Sequence, residues 1–229
     1  GKYIHTEVLR EGLLQTDVYI GNALVDMYVK CGQLLKANEL LDELGIHNVV
    51  TWNIIMDAHV QSGKGDEVLG IFKRMKTEGF KPDQGTYVSA LGGCAITRDL
   101  SEGRFTHMCI VMDGLRSEIL EGALMNMYGK CGNLQKAHRL FNASSHPNIA
   151  TWNALIAAFS HNGHGVEALV YFYKMQSEGI NPDEITFVSI LTACSHAGWI
   201  DDGREYFILM KRYFDVIYTQ DHYVCMIDL

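Results

Sequence analysis

The apolar residues of this chain recur with the spacing of amphipathic helices. In the first complete stretch they fall at i, i+3, i+4 and i+7, as Leu24, Met27, Tyr28 and Cys31, which is typical of one helix face. Gly32 ends this predicted helix, because glycine accommodates the backbone reversal that follows a helix. A second helix then carries its apolar face on Leu34, Ala37, Leu40, Leu41 and Leu44. The spacing nowhere favours a strand.

The helical pattern is duplicated after 100 residues. Residues 18–91 and 118–191 share 30 identities in 74 positions without a gap. Each copy divides into helix pairs, and the six predicted repeats are 18–48, 49–83, 84–117, 118–148, 149–183 and 184–219. We interpret residues 1–17 as the end of an earlier repeat and residues 220–229 as the start of a later one. Because the sequence starts at Gly1 without a methionine and stops inside an apolar helical pattern, we expect it to be a fragment of a longer protein.

A single short helix pair cannot bury its apolar face, whereas stacked pairs can. The repeats therefore predict an all-α protein, a right-handed α-solenoid of stacked helix-turn-helix repeats that forms one domain over residues 1–229. We expect Trp52, Trp152 and the methionine and aromatic stripes to lie in the core.

Composition and charge narrow the function. The chain has 19 Lys and Arg against 27 Asp and Glu, a formal net charge of −8, which is unlike proteins that bind nucleic acid by bulk electrostatics. No apolar run approaches the roughly 20 residues of a membrane span. The six cysteines include no C-x-x-C pair, so we expect reduced, mostly buried thiols and no zinc ribbon.

Few residues suggest catalysis or metal binding. His5-Thr6-Glu7 matches the H-x-E of zinc deaminases, but no P-C-x-x-C follows it. His161 and His164 could meet in a turn, with His196 as a third ligand, although a solvated turn explains them equally well. Nucleotide-binding and esterase motifs are missing. The sequence therefore predicts no catalytic residue, metal, cofactor or small-molecule substrate.

The motifs resemble those of the plant pentatricopeptide-repeat (PPR) family, in the subclass built from triplets of standard, long and short repeats. The standard motif is V-V-T-W-N with a final G-x-x-P-D, as in 49–83 and 149–183. The short motif is similar to G-N-A-L-x-x-M-Y-x-K-C-G at 21–32, and the long motif to T-[YF]-V-S-x-L at 86–91 and 186–191. Ser195-His196-Ala197-Gly198, Gly203-Arg204 and residues 222–229 resemble the variant long and short motifs that close such an array.

This resemblance implies a protein that binds single-stranded RNA with one base per repeat. In the family, the fifth and last residues of each repeat select the base, since an Asn amide can meet a pyrimidine edge. The pairs are Asn22 with Asn48, Asn53 with Asp83, Gly122 with Asn148, and Asn153 with Asp183. The two Asn–Asp pairs imply uracil, and Asn22 with Asn48 implies a pyrimidine, cytosine first.

Three fifth residues depart from this pattern. Gly122 has no side chain, which puts the specificity of its repeat in doubt, and Val88 and Val188 cannot form hydrogen bonds. The second residues are expected to flank the bases by apolar contact, at Tyr19, Val50, Ile119, Ala150 and Ile185, whereas Gly85 breaks that pattern. Because the family runs parallel to its RNA, the implied target is 5′-(C/U)-U-n-n-U-n-3′.

The closing motifs imply a longer parent protein that continues into the family's extension and, in many members, a deaminase-like domain. That parent would be a mitochondrial or chloroplast C-to-U RNA editing factor, a class that can require an editing accessory protein. Alternatives remain open. The parent could act in RNA stability or splicing without editing, and a helical solenoid could be a scaffold for protein partners. The asparagines could also be plain helix N-caps.

Overall fold

The computed structural model describes residues 2–144 and 147–229, and all the regular secondary structure in these ranges is helical. The α-helices are α1 (Lys2–Arg10), α2 (Val18–Lys30), α3 (Leu34–Glu43), α4 (Val49–Gln61), α5 (Gly65–Thr77), α6 (Gln84–Thr97), α7 (Leu100–Met112), α8 (Glu118–Lys130), α9 (Leu134–Ala143), α10 (Ile149–His161), α11 (Gly165–Ser177), α12 (Glu184–Ala197), α13 (Ile200–Phe214) and α14 (Gln220–Ile227). A short 3-10 helix spans Leu13–Gln15.

The chain divides into two compact units, Gly1–Leu115 and Arg116–Leu229. In the first unit, α2, α4 and α6 contact one another in chain order, while α3 packs on both α2 and α4, and α5 on both α4 and α6. The second unit repeats this scheme, with α8, α10, α12 and α14 as first helices and α9, α11 and α13 behind them. The predicted fold class, an all-α solenoid of stacked helix pairs, is confirmed.

Each first helix begins at a residue that the repeat parsing places at the start of a repeat. The last residue of one repeat is thereby the N-cap of the next first helix. Asn48, Asp83, Asn148 and Asp183 each accept a hydrogen bond from a backbone N–H three residues later. Such caps satisfy amide groups that the helix itself cannot pair.

The turns after the first helices of the short repeats depend on glycine. Gly32 and Gly132 have φ of 70° and 76°, a left-handed conformation that glycine adopts without steric cost. Lys30 and Lys130 occupy the last turn of each preceding helix, at its negative dipole end. The predicted end of the helix at Gly32 is confirmed.

The core lies between the two helix layers of each unit. Trp52 and Trp152 are almost completely buried, so their predicted place in the core is confirmed. Trp152 packs edge-on against Phe141, with ring centroids 4.7 Å apart, and Phe80 lies 6.0 Å from Trp52. Across the described ranges, no helix combines the length and the apolar character that a bilayer span requires.

The prediction of mostly buried thiols is wrong. Cys94 and Cys194 are buried, but Cys31 is exposed and the other three cysteines are partly exposed. Cys31 caps the C-terminus of α2, where the chain turns outward at Gly32. A position four residues beyond Met27 shares its helix face only while the helix continues, so periodicity overestimates burial at a helix end.

Candidate nucleic-acid interface

The fifth and last residues of the 49–83 repeat form a hydrogen-bonded pair. Asn53 lies one turn into α4, and its Nδ2 donates to Asp83 Oδ1 at 2.9 Å. Asp83 caps α6 and accepts a second hydrogen bond at the same oxygen from the Thr86 backbone N–H, also at 2.9 Å. The Thr86 hydroxyl donates to Asn53 Oδ1 at 2.7 Å. The pair is thus tied to the start of the next repeat.

The 149–183 repeat reproduces this arrangement. Asn153 Nδ2 donates to Asp183 Oδ1 at 2.9 Å, and the Thr186 hydroxyl donates to Asn153 Oδ1 at 2.5 Å. Asp183 also caps α12 by accepting the Thr186 N–H at 2.9 Å. Asn153 is 5% exposed, so little of its amide remains accessible on the surface.

The 18–48 repeat holds the same groups more loosely. Asn22 Nδ2 lies 3.4 Å from Asn48 Oδ1, although the Thr51 hydroxyl donates to Asn22 Oδ1 at 2.5 Å. A neutral amide oxygen is a weaker acceptor than a carboxylate, which accounts for the longer contact to Asn48.

The 118–148 repeat has a different partner. Because Gly122 has no side chain, Asn148 Nδ2 donates instead to Glu118 Oε2 at 2.7 Å. Asn148 still caps α10 through the Thr151 N–H at 3.0 Å. A Cβ added at Gly122 would meet no atom within 4 Å, so the space that a fifth side chain would fill is open.

The two long repeats present no polar fifth residue. Val88 and Val188 are partly buried, and the last residues of their repeats serve the following helices. Ser117 Oγ accepts the Leu120 N–H at 3.2 Å, and Thr219 pairs with His222, which is buried at the third position of α14.

Every second residue that was expected to flank a base is exposed. Tyr19 has 80% of its surface accessible, and Val50, Ile119 and Ile185 have about half or slightly more. Ala150 is also exposed. Gly85 lies close to the preceding repeat, because a Cβ there would approach Asn53 Nδ2 to 3.1 Å. The second residue of one repeat thus adjoins the fifth residue of the repeat before it.

The Asp83 carboxylate is electrostatically stabilised. Burial alone would raise the pKa of Asp83, but hydrogen bonds from the Thr86 N–H, Asn53 and the Thr86 hydroxyl outweigh it, and the pKa is lowered overall. Asp83 is therefore ionised near neutral pH and remains an acceptor.

The three turn histidines do not assemble into a metal site, and the described residues contain no cluster of three or more potential ligands. His161 Nδ1 lies 2.7 Å from Ala157 O, and His196 Nδ1 lies 3.1 Å from Ser160 O. In α1, His5 Nδ1 lies 2.8 Å from the Tyr28 hydroxyl, while Glu7 pairs with Arg10.

Asn22, Asn53 and Asn153 are not helix caps, because each is the fifth residue of its helix. The alternative that these three asparagines cap their helices is therefore wrong, and the threonines at the third positions were not foreseen. A signal was present: Thr51, Thr86, Thr151 and Thr186 recur three residues after Asn or Asp, which is a capping-box spacing.

Comparison with known proteins identifies the family. The PPR repeat family model matches residues 47–96 and 147–196, and the PPR repeat model matches residues 22–49, 122–143 and 185–213. These matches cover most of the chain, which therefore belongs to the pentatricopeptide-repeat family.

A mitochondrial pentatricopeptide repeat-containing protein of Arabidopsis thaliana is 38% identical over 228 residues, covering all of this chain and 36% of the relative. The chain thus spans about a third of the length of such relatives. Among solved structures, maize PPR10 superposes with a TM-score of 0.65 at 22% identity, covering 90% of this chain and 30% of that one. PPR10 in complex with an 18-nt psaJ RNA element gives a TM-score of 0.50 at 17% identity over 97% of this chain and 44% of that one.

Proposed function

We propose that this chain binds single-stranded RNA in a sequence-dependent way, with one nucleotide on each helix pair. The observation that carries the proposal is the pairing of fifth and last residues, Asn22 with Asn48, Asn53 with Asp83 and Asn153 with Asp183. In three of the six repeats, residues about 30 positions apart meet at the same point of the repeat, which also carries an exposed apolar second residue. A protein partner would not require this recurrence.

The chemistry of the pairs permits pyrimidine recognition, and the family resemblance supplies the preference for pyrimidines over purines. After its contacts to Asp83 and Thr86, the Asn53 amide retains one N–H and one carbonyl lone pair. One donor beside one acceptor is complementary to the edge of a pyrimidine. With the amino terminus toward the 5′ end, the proposed target is 5′-(C/U)-U-n-n-U-n-3′.

The cellular process that this RNA binding serves is a property of the longer parent protein. We propose that this array directs an organellar C-to-U RNA editing factor, assisted by an accessory protein. The closing motifs after residue 184 and the mitochondrial relative support this role. An RNA stability or splicing factor would use the same array without editing, so the editing state of bound transcripts after loss of the parent gene separates the two roles.

Fluorescence anisotropy with two labelled RNAs tests the binding proposal. One carries C-U-n-n-U-n, and in the other both uracils are replaced by adenine. We expect clearly tighter binding of the first. Equal affinity for both RNAs contradicts base recognition, and a folded, helical chain that binds neither supports the scaffold alternative.

A further inference from the structure

We infer that Thr51, Thr86 and Thr186 are positioning residues that fix the direction of the base-selecting asparagine amides and thereby set the preference between uracil and cytosine. The inference rests on the proposed RNA binding and deepens it. Each threonine occupies the third position of a repeat and contacts the fifth residue of the repeat before it. The base-selecting unit is therefore a triad of side chains from two consecutive repeats.

The hydroxyl proton of Thr86 has a defined direction. Its oxygen accepts the Asp83 backbone N–H at 3.2 Å, so the proton cannot point there. It points to the other side, where it is shared between Asn53 Oδ1 at 2.7 Å, the shorter contact, and Asp83 Oδ1 at 2.9 Å. Thr186 in the second unit has the same donor and acceptor contacts. Its hydroxyl oxygen accepts the Asp183 backbone N–H at 3.1 Å, and its hydroxyl donates to Asn153 Oδ1 at 2.5 Å.

This donor fixes the asparagine amide. The Asn53 oxygen faces the Thr86 hydroxyl and its nitrogen faces the Asp83 carboxylate. If the amide turned over, its oxygen would face the carboxylate and the hydrogen bond from Thr86 would be lost. An amide oxygen and a carboxylate oxygen are both acceptors and repel each other, so the observed direction is favoured at both ends of the amide.

The direction of the amide decides which pyrimidine fits. Uracil offers an N3–H donor beside the O4 acceptor, whereas cytosine offers an N3 acceptor beside the N4 amino donor. An amide that pairs with uracil must therefore turn over to pair with cytosine. The triad with Asp83 resists that turn. The triad with Asn48 resists it less, because its acceptor is neutral and lies at 3.4 Å.

The test compares uracil with cytosine at the second target nucleotide for Thr86→Val and the wild-type chain. Valine keeps the shape of threonine without the hydroxyl. We expect the ratio of the two dissociation constants to fall by about three- to tenfold, the effect of one net hydrogen bond. Thr86→Ser retains the hydroxyl and should retain the ratio. Both constants come from one preparation, so a reduced folded fraction cancels from the ratio.

Thr151→Val is the matched control. Thr151 Oγ1 lies 3.0 Å from Asn148 Oδ1, as Thr86 Oγ1 lies 2.9 Å from Asp83 Oδ1, but Gly122 leaves Thr151 without an asparagine to position. We expect a similar fall in Tm without a change in the ratio. If the wild type prefers uracil and Thr86→Val keeps the full ratio, the positioning role is wrong while the proposed function stands. A wild type without any uracil preference overturns both.

Discussion

Asn148 donates its side-chain N–H to Glu118 at 2.7 Å, whereas the equivalent last residues in three other repeats accept from a fifth-position asparagine. The difference follows from Gly122, which provides no amide to meet Asn148. The 118–148 repeat therefore has a last residue that caps the next helix, an exposed flanking residue, Ile119, and no base-selecting pair.

Gly122→Asn should give this repeat a pyrimidine preference. A Cβ at Gly122 meets no atom within 4 Å, and asparagine is tolerated in a helix slightly better than glycine. The new amide would face Asn148 and Thr151, as Asn22 faces Asn48 and Thr51. We expect cytosine or uracil at the fourth target nucleotide to bind about three- to tenfold more tightly than a purine, the scale of one hydrogen bond.

Gly122→Ala is the control for this gain, since it adds the Cβ without the amide. It should raise helix stability by up to about 1 kcal/mol and leave the fourth nucleotide unselected. A folded Gly122→Asn protein that still binds all four bases equally at the fourth nucleotide would contradict base selection by the fifth and last residues of this repeat.

The ionisation of Asp83 predicts how the protein responds to acid. Its pKa is lowered in the folded chain by the hydrogen bonds from Thr86 and Asn53, against the effect of burial. A lowered folded-state pKa contributes stability that is present above the ordinary carboxyl pKa and is lost as the pH falls through the folded value. Uracil preference at the second nucleotide should therefore be constant from pH 8 to pH 5.

Titration of Asp83→Asn alongside the wild type checks this expectation. The variant keeps a capping oxygen but has no charge to lose, so the difference in unfolding free energy between the two proteins should be constant above pH 5 and shrink below about pH 4. At neutral pH the variant should accept cytosine more readily, since it recreates the Asn22–Asn48 type of pair. If the difference in unfolding free energy between the wild type and Asp83→Asn grew on acidification, the lowered pKa of Asp83 would be contradicted.

Tryptophan and tyrosine variants should separate stability from binding. Trp152→Ala removes a side chain that is 3% exposed and packs on Phe141, and such truncations cost about 3–5 kcal/mol of folding free energy. Tyr19 is 80% exposed, so Tyr19→Ala should change stability by less than about 0.5 kcal/mol while it weakens binding at the first nucleotide. Urea unfolding and anisotropy measure the two effects, and a Tyr19→Ala protein with unchanged affinity would show that this residue does not flank a base.

The dependence of binding on salt should be shallow. A protein that neutralises six phosphates of a single strand loses affinity with a logarithmic slope of about −4. This chain carries a net charge of −8, and its proposed contacts are to bases, so we expect a slope between zero and about −2. A slope near −4 would indicate that phosphate contacts drive binding.

Much of this architecture could be predicted from the sequence because its signals are local. The apolar spacing around Leu24 and Tyr28, with Gly32 after it, defines a helix and its end without reference to other repeats. The pairing of Asn53 with Asp83 could be stated only through family resemblance, since 30 residues separate them. The contact between Asn148 and Glu118 was not foreseen, because it depends on what a missing side chain leaves unpaired.

The threonine contacts also show that sequence patterns predict contacts within a repeat better than contacts between repeats. A capping box predicts that Thr86 bonds Asp83, three residues away. Its contact to Asn53 crosses from one repeat to the next, and it becomes visible only when the stacking of α4 on α6 is known.

Selection of bound sequences from a pool of RNAs with a randomised segment measures directly whether each asparagine pair recognises one base. We expect uracil at two positions three nucleotides apart, because the repeats of Asn53 and Asn153 are three repeats apart, with a pyrimidine directly before the first uracil. Asn53→Ala should erase the first uracil alone and Asn153→Ala the second alone, while Asn126→Ala, a change at an exposed position of α8, should erase neither. Two results would contradict recognition of one base by each asparagine pair. One is a set of bound RNAs without enriched uracils, and the other is the loss of both uracils in either single variant.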